Sequence, residues 1–242
     1  MSGIFDGCFL LKSLSINNNF YSNNVKNMSR MFKDCNKLTS VDVSNFNTEN
    51  VLDMSYMFHN CKELKIIGVS KFDTSLVTNF ISMIYYCWTI NILDISNFNT
   101  SNVEDMSYMF HNTNELTSLN VLNFNTSRVR NMTSMFGYNF ALNNLDLKNF
   151  NTENVIYMYG MFVNNDRIIR LDLSNFNTNK VIDMSLMFDG FHNCNFLNIQ
   201  NFDTKNVKDM SYMFRYCDKI TSFNLSNFDT SKVTNMAGMF FH

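Results

Sequence analysis

A four-residue motif, Asn-Phe-Asn/Asp-Thr, recurs every 26 residues along this chain without a slip in spacing. Only Lys71 departs from the leading asparagine, and Asn19-Phe20-Tyr21-Ser22 is a degenerate copy one period earlier. The motif threonines are Thr48, Thr74, Thr100, Thr126, Thr152, Thr178, Thr204 and Thr230. A fixed period of this size predicts a solenoid, because each repeat forms one coil that buries its apolar face only against neighbouring coils.

A Met-Phe pair follows the same period and reads Met83-Ile84 in one copy. Since no linker interrupts the period, residues 1–242 are predicted to form a single leucine-rich-repeat solenoid domain of about nine coils. The chain begins and ends inside a repeat. We therefore expect either a fragment or a solenoid that is open at both termini.

The repeats carry the LxxLxL signature of a leucine-rich-repeat strand, except that Cys194 takes the leucine place in one altered copy. In the copy that starts at Leu38, Val41 and Val43 are expected to point inward, because side chains alternate along a strand. The first copy is longer by one residue, since Leu14 lies 27 residues before Val41. The strands should form one parallel sheet with a continuous buried ladder of Val41, Ile67, Leu93, Leu119, Leu145 and Leu171.

The second half of the repeat is expected to return on the opposite side of the coil. After an extended segment from Val51 to Met54, Ser55 is a candidate N-cap for a brief helical turn. The predicted fold class is thus an α/β solenoid with short helical or extended segments opposite the sheet. Asn45 and Asn47 should supply turn chemistry and buried amide ladders to the next coil. The motif phenylalanines should stack as a buried column: Phe46, Phe72, Phe98, Phe124, Phe150, Phe176, Phe202 and Phe228.

Charge and hydropathy exclude several classes of partner. A net charge of −2 gives no electrostatic reason to expect a nucleic-acid or anionic-membrane partner. No apolar run approaches the roughly 18 residues that span a bilayer, so membrane insertion is not expected. We also expect neither a secretory signal nor an anchor within this chain.

The string from Leu171 to Phe188, LDLSNFNTNKVIDMSLMF, resembles the BspA-like leucine-rich repeat of bacterial, mollicute and protist surface proteins. The resemblance covers nearly the whole chain, with several letters at fixed spacing. It implies a leucine-rich-repeat solenoid that acts in adhesion or host-protein binding, at the cell surface or outside the cell. It carries over no binding residues.

Five cysteines share one repeat position, three residues after the motif phenylalanine or its substitute. They are Cys8, Cys35, Cys61, Cys87 and Cys217. Coils spaced like strands place neighbouring members about 5 Å apart, a Cα separation that disulfides tolerate. Because Thr113 and Asn139 occupy the same position elsewhere, free buried thiols are favoured over bridges. A metal site is least favoured, since no Cys-x-x-Cys pair or neighbouring histidine completes a tetrahedral set.

A column of acidic and amide side chains between the two inward strand positions is the candidate partner-binding face. Its members are Asp42, Asp94, Asn120, Asp146, Asp172, Asn198 and Asn224. Pointing outward from the sheet, they can form a mildly acidic groove for a protein with basic or amide-rich groups. A solvated face, mixed in aspartate and asparagine because adjacent like charges repel, is the slightly favoured alternative. Calcium is less favoured, because the glycine-rich nonapeptides of repeat calcium sites are absent.

No catalytic constellation is visible. His59 and His111 occupy equivalent positions and reflect duplication of the repeat. The chain lacks a phosphate-binding glycine loop and a paired nucleophile and base, so we expect neither an enzyme nor a bound cofactor or metal. Tyr56, Tyr108 and Tyr212 share one position, where they either anchor a partner or half-bury against the next coil.

Two functions compete on this evidence. The first is a non-enzymatic protein-binding or adhesion module, whose partner is a host protein or a neighbouring subunit. The second is a structural component of a filament, a particle or a larger chain. In that case the uncapped ends would stack on each other by end-to-end self-association.

Overall fold

Short parallel strands join consecutive repeats in the computed structural model, which describes residues 1–16 and 20–242. The strands of this part of the chain are β1 (Ser13–Leu14), β2 (Ser40–Val41), β3 (Ile66–Ile67), β4 (Arg170–Asp172) and β5 (Phe196–Asn198). β1, β2 and β3 form one sheet, and β4 and β5 form another. Ser13 pairs with Ser40 and Ser40 with Ile66, which confirms that the first repeat is one residue longer. Asn19 of the degenerate motif lies outside the described residues.

The strand segments are parallel, as predicted, but they do not form one continuous sheet. Between β3 and β4, isolated bridges join Ile66 to Ile92 and Ser118 to Asn144. Each strand is short because a turn follows it at once. After β2, for example, the Asp42 side chain accepts a hydrogen bond from the N–H of Ser44 at 2.9 Å, where the chain begins to turn.

A second parallel ladder runs through the segment that precedes the Met-Ser motif. It joins one residue of each repeat: Asn27, Asp53, Asn79, Asp105, Asn131, Tyr157, Asp183, Asp209 and Asn235. This ladder confirms the extended segment predicted between Val51 and Met54. Two ladders with the same one-repeat offset stack the coils into a solenoid-like repeat fold.

The helical turn predicted after Ser55 is wrong, and with it the α part of the fold class. The described ranges contain no helix. Tyr56 and Asn60 instead have φ values of +57° and +61°, as expected for the third residue of a type II turn. The first of these turns closes where the N–H of Met57 donates to the carbonyl of Met54.

Stacking explains why this segment cannot be a helix. The N–H of Tyr56 donates to the carbonyl of Ile81 in the next coil at 2.8 Å, and that of Phe58 donates to Met83 at 2.9 Å. A helix begun at Ser55 would direct the N–H of Asn60 to the carbonyl of Tyr56, but that N–H also bonds the next coil, at the carbonyl of Tyr85 at 2.6 Å. Because alternate N–H groups are committed to the neighbouring coil, the chain adopts successive turns.

The predicted core ladders are present. Of the inward strand positions, Val41, Ile67, Leu119, Leu145 and Leu171 are buried and Leu93 is partly buried. In the motif phenylalanine column, Phe46, Phe72, Phe98, Phe124, Phe150, Phe176 and Phe202 are buried and Phe228 is partly buried. The Met-Phe phenylalanines form a further column of parallel rings, with centroids 5.4 Å apart for Phe32–Phe58 and 5.8 Å apart for Phe162–Phe188.

The first and third residues of the Asn-Phe-Asn-Thr motif have distinct polar roles. The Asn123 amide donates to the carbonyl of Phe98 at 2.9 Å, so these amides bond the preceding coil rather than the next one, and they are exposed rather than buried. The Asn125 side chain accepts the N–H of Ser127 at 3.1 Å. Because both contacts satisfy backbone groups, the asparagines of the motif have a structural function.

Candidate functional site

The predicted partner-binding column lies on the outward side of the strand segments. Asp42, Asp94, Asn120, Asp146, Asp172 and Asn224 are exposed, and Asn198 is half-buried. Each uses one side-chain oxygen to accept the N–H of the residue two positions later. Representative distances are 3.1 Å from Ser96 to Asp94 and 3.0 Å from Ser174 to Asp172. Aspartate and asparagine therefore recur here partly because they form this turn.

The same turn contacts lower the pKa of the carboxylates. For Asp42 and Asp94 the largest cause is the hydrogen bond with the side chain of Ser44 or Ser96, followed by the bond with the same residue's N–H. For Asp172 the N–H of Ser174 comes first. These groups are negatively charged at neutral pH, and each carboxylate has a second oxygen that can accept bonds from a partner.

The structure brings some members of the column together and separates others. Asn198 donates to Asp172 at 3.0 Å. Between Asp42 and Asp94 the repeat has Gly68, and a Cβ atom there would lie 3.8 Å from Asp42 Oδ1. The acidic residues therefore do not form an unbroken row.

Two adjoining hollows follow this face across the later repeats. One, of about 470 Å³, is lined in part by Asp146, Asp172, Arg170 and Phe196. The other, of about 270 Å³, is lined in part by Asn120 and shares Asp146 with the first. They form an irregular groove, with a size typical of sites for side chains or small ligands.

Cations and apolar side chains that sequence reasoning missed also lie on this face. Lys148 is 3.1 Å from Asp146, and the Arg170 guanidinium lies 3.9 Å from the ring centroid of Phe196. Ile66 and Ile92 are 55% and 62% exposed. For Ile66, Ile92, Arg170 and Phe196 the available signal was the departure from the serine that Ser40, Ser118 and Ser222 have at the same repeat position.

A second surface feature is a cluster of rings around His59 and His111. Tyr85 stacks between the two histidines, with centroids 4.5 Å and 5.0 Å from theirs. Trp88, which is 39% exposed, lies under the Lys62 ammonium at 4.8 Å. Burial lowers the pKa of both histidines to about 4, so they are neutral at neutral pH.

The three tyrosines predicted to share one position are partly exposed. Tyr56 and Tyr108 are half-buried, and Tyr212 is 37% exposed. Tyr56 packs on His59 and Tyr108 on His111, with centroid distances of 5.4 Å and 5.5 Å. For Tyr56 and Tyr108 these contacts favour half-burial in the ring cluster.

Cysteines of the shared repeat position donate hydrogen bonds to backbone carbonyls of the preceding coil. Cys61 donates its S–H to the carbonyl of Phe32 and Cys87 to that of Phe58, both at 3.0 Å. The Asn139 amide makes the equivalent bond to Phe110 at 2.9 Å, which explains why thiol and amide interchange. All six cysteines are free. Cys8 is exposed and Cys217 half-buried, so burial of the whole column was wrong for these two.

Within residues 1–16 and 20–242, no group of three or more histidine, cysteine or acidic side chains is placed to hold a metal ion. No helix in that part of the chain is long and apolar enough to cross a membrane.

Comparison with solved structures gives two distant likenesses to repeat proteins. A crystal structure of a leucine-rich repeat protein from Bacteroides ovatus is 12% identical, covers 98% of this chain and 77% of its own, and has a TM-score of 0.29. The functional domain of InlJ from Listeria monocytogenes, which includes a cysteine ladder, is 11% identical over 95% of this chain and 63% of its own, with a TM-score of 0.25. At such TM-scores neither likeness supports an argument about this chain.

No curated protein matches the chain. The model of one protein family does match, over residues 1–91, 81–195 and 158–242. These overlapping ranges reach from the first residue to the last, and they agree with a period that never slips. The chain therefore belongs to DUF285, a family of Mycoplasma proteins of unknown function.

Proposed function

We propose that this chain is a non-enzymatic protein-binding module that uses the outward face of its strand segments. The observation that carries the proposal is the composition of that face. Ile66 and Ile92 are neighbours across a parallel bridge and are largely exposed. They lie among carboxylates such as those of Asp42 and Asp94. The side chains of these aspartates are fixed by hydrogen bonds within their turns. Exposed apolar side chains rimmed by fixed polar groups are typical of protein interaction sites.

The rigidity of the face supports the same function. Many outward side chains sit on a backbone that is bonded to a neighbouring coil, as at Ile66, which pairs with Ser40 and with Ile92, so little conformational entropy is lost there when a partner binds. Charges on the face should act mainly on the association rate and its salt dependence. The aspartates are therefore expected to steer a partner with basic groups, and the isoleucines to hold it.

The BspA-like resemblance extends the proposal to adhesion by a leucine-rich-repeat type surface protein. The test is the binding of purified, fluorescently labelled protein to cultured animal cells, measured by flow cytometry. Replacing Ile66 and Ile92 by serine, the residue of Ser40 at that position, should reduce binding about tenfold. The control variant is Leu52→Thr with Leu76→Asn, which removes apolar side chains of 44% and 45% exposure away from the strand segments.

Equal loss of binding in both variants would contradict the proposed face. A second comparison separates this face from the ring cluster. Asp94, Asp146 and Asp172 are changed together to asparagine, which preserves the turn contact seen at Asn120. Tyr56, Tyr108 and Tyr212 are changed together to serine, the residue of Ser82 and Ser134 at that position. Loss in the tyrosine variant alone would move the site to the side of the coils that carries these tyrosines.

A structural assembly is the second candidate, and the last repeat favours it. Phe223, Leu225 and Phe228 are only half-buried, and Phe240 and Phe241 are 52% and 55% exposed. A further coil on this surface would cover them, whether it came from the same polypeptide or from a second copy. Light scattering coupled to gel filtration tests the second copy: a mass that rises with concentration supports end-to-end association, and a constant monomer mass contradicts it.

A further inference from the structure

The later repeats contain a hollow of about 540 Å³ whose lining includes two cations and no acidic side chain. It is lined by Asn143, Arg167, Ile169, Asn193, Asn195 and Lys219. Asn143, Ile169 and Asn195 directly precede residues that line the groove of the outward face. The hollow therefore continues the surface assigned above to protein binding, but with the opposite charge.

The two cations of the hollow have no counter-ion in the described residues. Neither Arg167 nor Lys219 makes an ion pair or a side-chain hydrogen bond within residues 1–16 and 20–242. Asp218, next to Lys219 in sequence, instead contacts His192 at 2.7 Å and His242 at 3.0 Å. The hollow is thus locally basic on a chain whose net charge is −2.

An earlier pair of coils shows which group pairs with a cation at this repeat position. Lys37 occupies the same repeat position as Arg167 and Lys219, and its ammonium lies 2.5 Å from the carboxylate of Glu63, one repeat later. In the hollow, the repeat between those of Arg167 and Lys219 has Asn193 at this position. The place that a carboxylate takes beside Lys37 is therefore held by a neutral amide between two unpaired cations.

The remaining lining adds an apolar contact and directional bonds. Ile169 is 53% exposed, and its repeat position is otherwise polar in the neighbouring coils, as at Asn143 and Asn195. The Asn193 amide donates to the carbonyl of Asp166 at 2.9 Å, which fixes its oxygen and second N–H. The hollow thus offers positive charge, one apolar surface and amide groups within a single concave site.

We propose that this hollow binds an acidic segment of a partner protein, in which glutamate or aspartate side chains pair with Arg167 and Lys219 and an apolar side chain packs on Ile169. The proposal rests on the proposed protein-binding function and names one chemistry for its partner. Repeats two positions apart should lie about 10 Å from each other, as strands do. Two acidic side chains of one extended peptide span such a distance.

The experiment uses a fluorescein-labelled peptide that repeats Glu-Ser-Leu-Ser, so that glutamate and leucine lie on the same face when the peptide is extended. The readout is the fluorescence anisotropy of the peptide as the whole chain is added. The peptide should bind with a Kd below about 1 mM, and more weakly as salt is added. Its glutamine counterpart should not bind. Arg167→Asn with Lys219→Asn, which copies Asn193, should weaken binding at least about tenfold, and Ile169→Asn should weaken it to a smaller extent.

The matched control is Lys26→Asn with Lys208→Asn, which removes the same charge from exposed lysines outside the hollow. No binding below about 1 mM, equal weakening in the control, or equally tight binding of glutarate would overturn the proposal. The last outcome would make the hollow a small-anion site. If the peptide fails while Ile66→Ser with Ile92→Ser still loses cell binding, the proposed function stands and this inference fails.

Discussion

The hydroxyl of Thr126 bonds both backbone polar groups of Asn151 in the next coil. It accepts the Asn151 N–H at 2.8 Å and donates to the Asn151 carbonyl at 2.8 Å. The bond pair recurs one repeat later between Thr152 and Asn177. Thr126 is 1% exposed, so water cannot replace it. From Thr74 to Thr204 the motif threonine is therefore a cross-link between coils, which favours a fixed spacing, whereas the buried hydroxyl of Thr48 has no hydrogen-bond partner.

Thr126→Val should lower the free energy of unfolding by about 2–3 kcal/mol, because two backbone groups lose their partner in a dry site. Urea unfolding followed by circular dichroism measures the change. Thr126→Ser keeps the hydroxyl and should lower the free energy of unfolding by less, since Ser22 makes the same bond pair with Asn47 at 3.0 Å and 2.8 Å. Equal losses for valine and serine would show that the methyl group, not the bond pair, matters.

In the third Met-Phe repeat, one core position has a larger residue than in the other repeats and another has a smaller one. Ile84 replaces the stacked phenylalanine, and Phe80 replaces the methionine found at Met54 and Met106. Both side chains are fully buried, and the Phe80 ring stacks on Phe98 at 5.5 Å. We therefore expect the larger residue at one position to compensate for the smaller residue at the other.

Phe80→Met and Ile84→Phe should each destabilise by about 1–3 kcal/mol, the first by leaving a cavity and the second by overpacking. The double variant restores the usual pair and should come within about 1 kcal/mol of the native chain, a positive coupling between neighbours. Urea melts of all four proteins test this. Additive losses would mean that the two positions do not share space.

Asp189 is 2% exposed and receives two bonds from Arg215, of 2.8 Å from Nε and 2.5 Å from Nη2. Arg215→Met leaves a buried carboxylate without its counter-ion and should destabilise by about 3–5 kcal/mol. Adding Asp189→Val, which copies Val163 of the preceding repeat, should recover most of that loss. Thermal unfolding at neutral pH measures both. Failure of the second change to recover stability would assign the loss to packing of the arginine on Tyr212 and Tyr216.

The thiols should differ in reactivity by position. Burial raises the pKa of Cys35 and Cys87 to about 12, and these sites exclude reagent, whereas Cys8 is exposed. A thiol reagent at pH 8 should therefore modify Cys8 first, and Cys8→Ser should remove the fast phase. Six thiols should react in denaturant. A mass lower by two hydrogens per missing thiol pair would reveal bridges and contradict this.

The period alone predicted the stacking, the parallel ladders and the buried columns, because one coil must repeat the contacts of the next. It mispredicted the segment after Ser55, since the left-handed backbone at Tyr56 and Asn60 is set by bonds between coils and not by local helix preference. The outward aspartates were found from alternation, but their turn bonds were not foreseen. The hollow at Arg167 and Lys219 was missed because the two residues lie far apart in sequence and meet only through stacking.

Acid should destabilise the chain in a window set by His111. Burial lowers its folded pKa to about 4 from the ordinary value of 6.5, so the unfolded chain binds a proton first as the pH falls. The contribution of His111 to the free energy of unfolding is complete above pH 6.5, declines between pH 6.5 and about 4, and is constant below about 4. The loss at pH 5 should be about 2 kcal/mol. His59, whose pKa is also about 4 for the same main reason, acts in the same direction.

The variant His111→Tyr tests this window, because Tyr85 occupies the same position in the preceding repeat. Its unfolding free energy should fall less between pH 7 and pH 5 than that of the native chain. The aspartates contribute only at lower pH, since the pKa values of Asp42 and Asp94 lie below the ordinary 3.8, so the two effects separate. Urea melts at half-unit pH steps give the slope, and an unchanged slope in His111→Tyr would mean that His111 takes up its proton over the same pH range in the folded and unfolded chains.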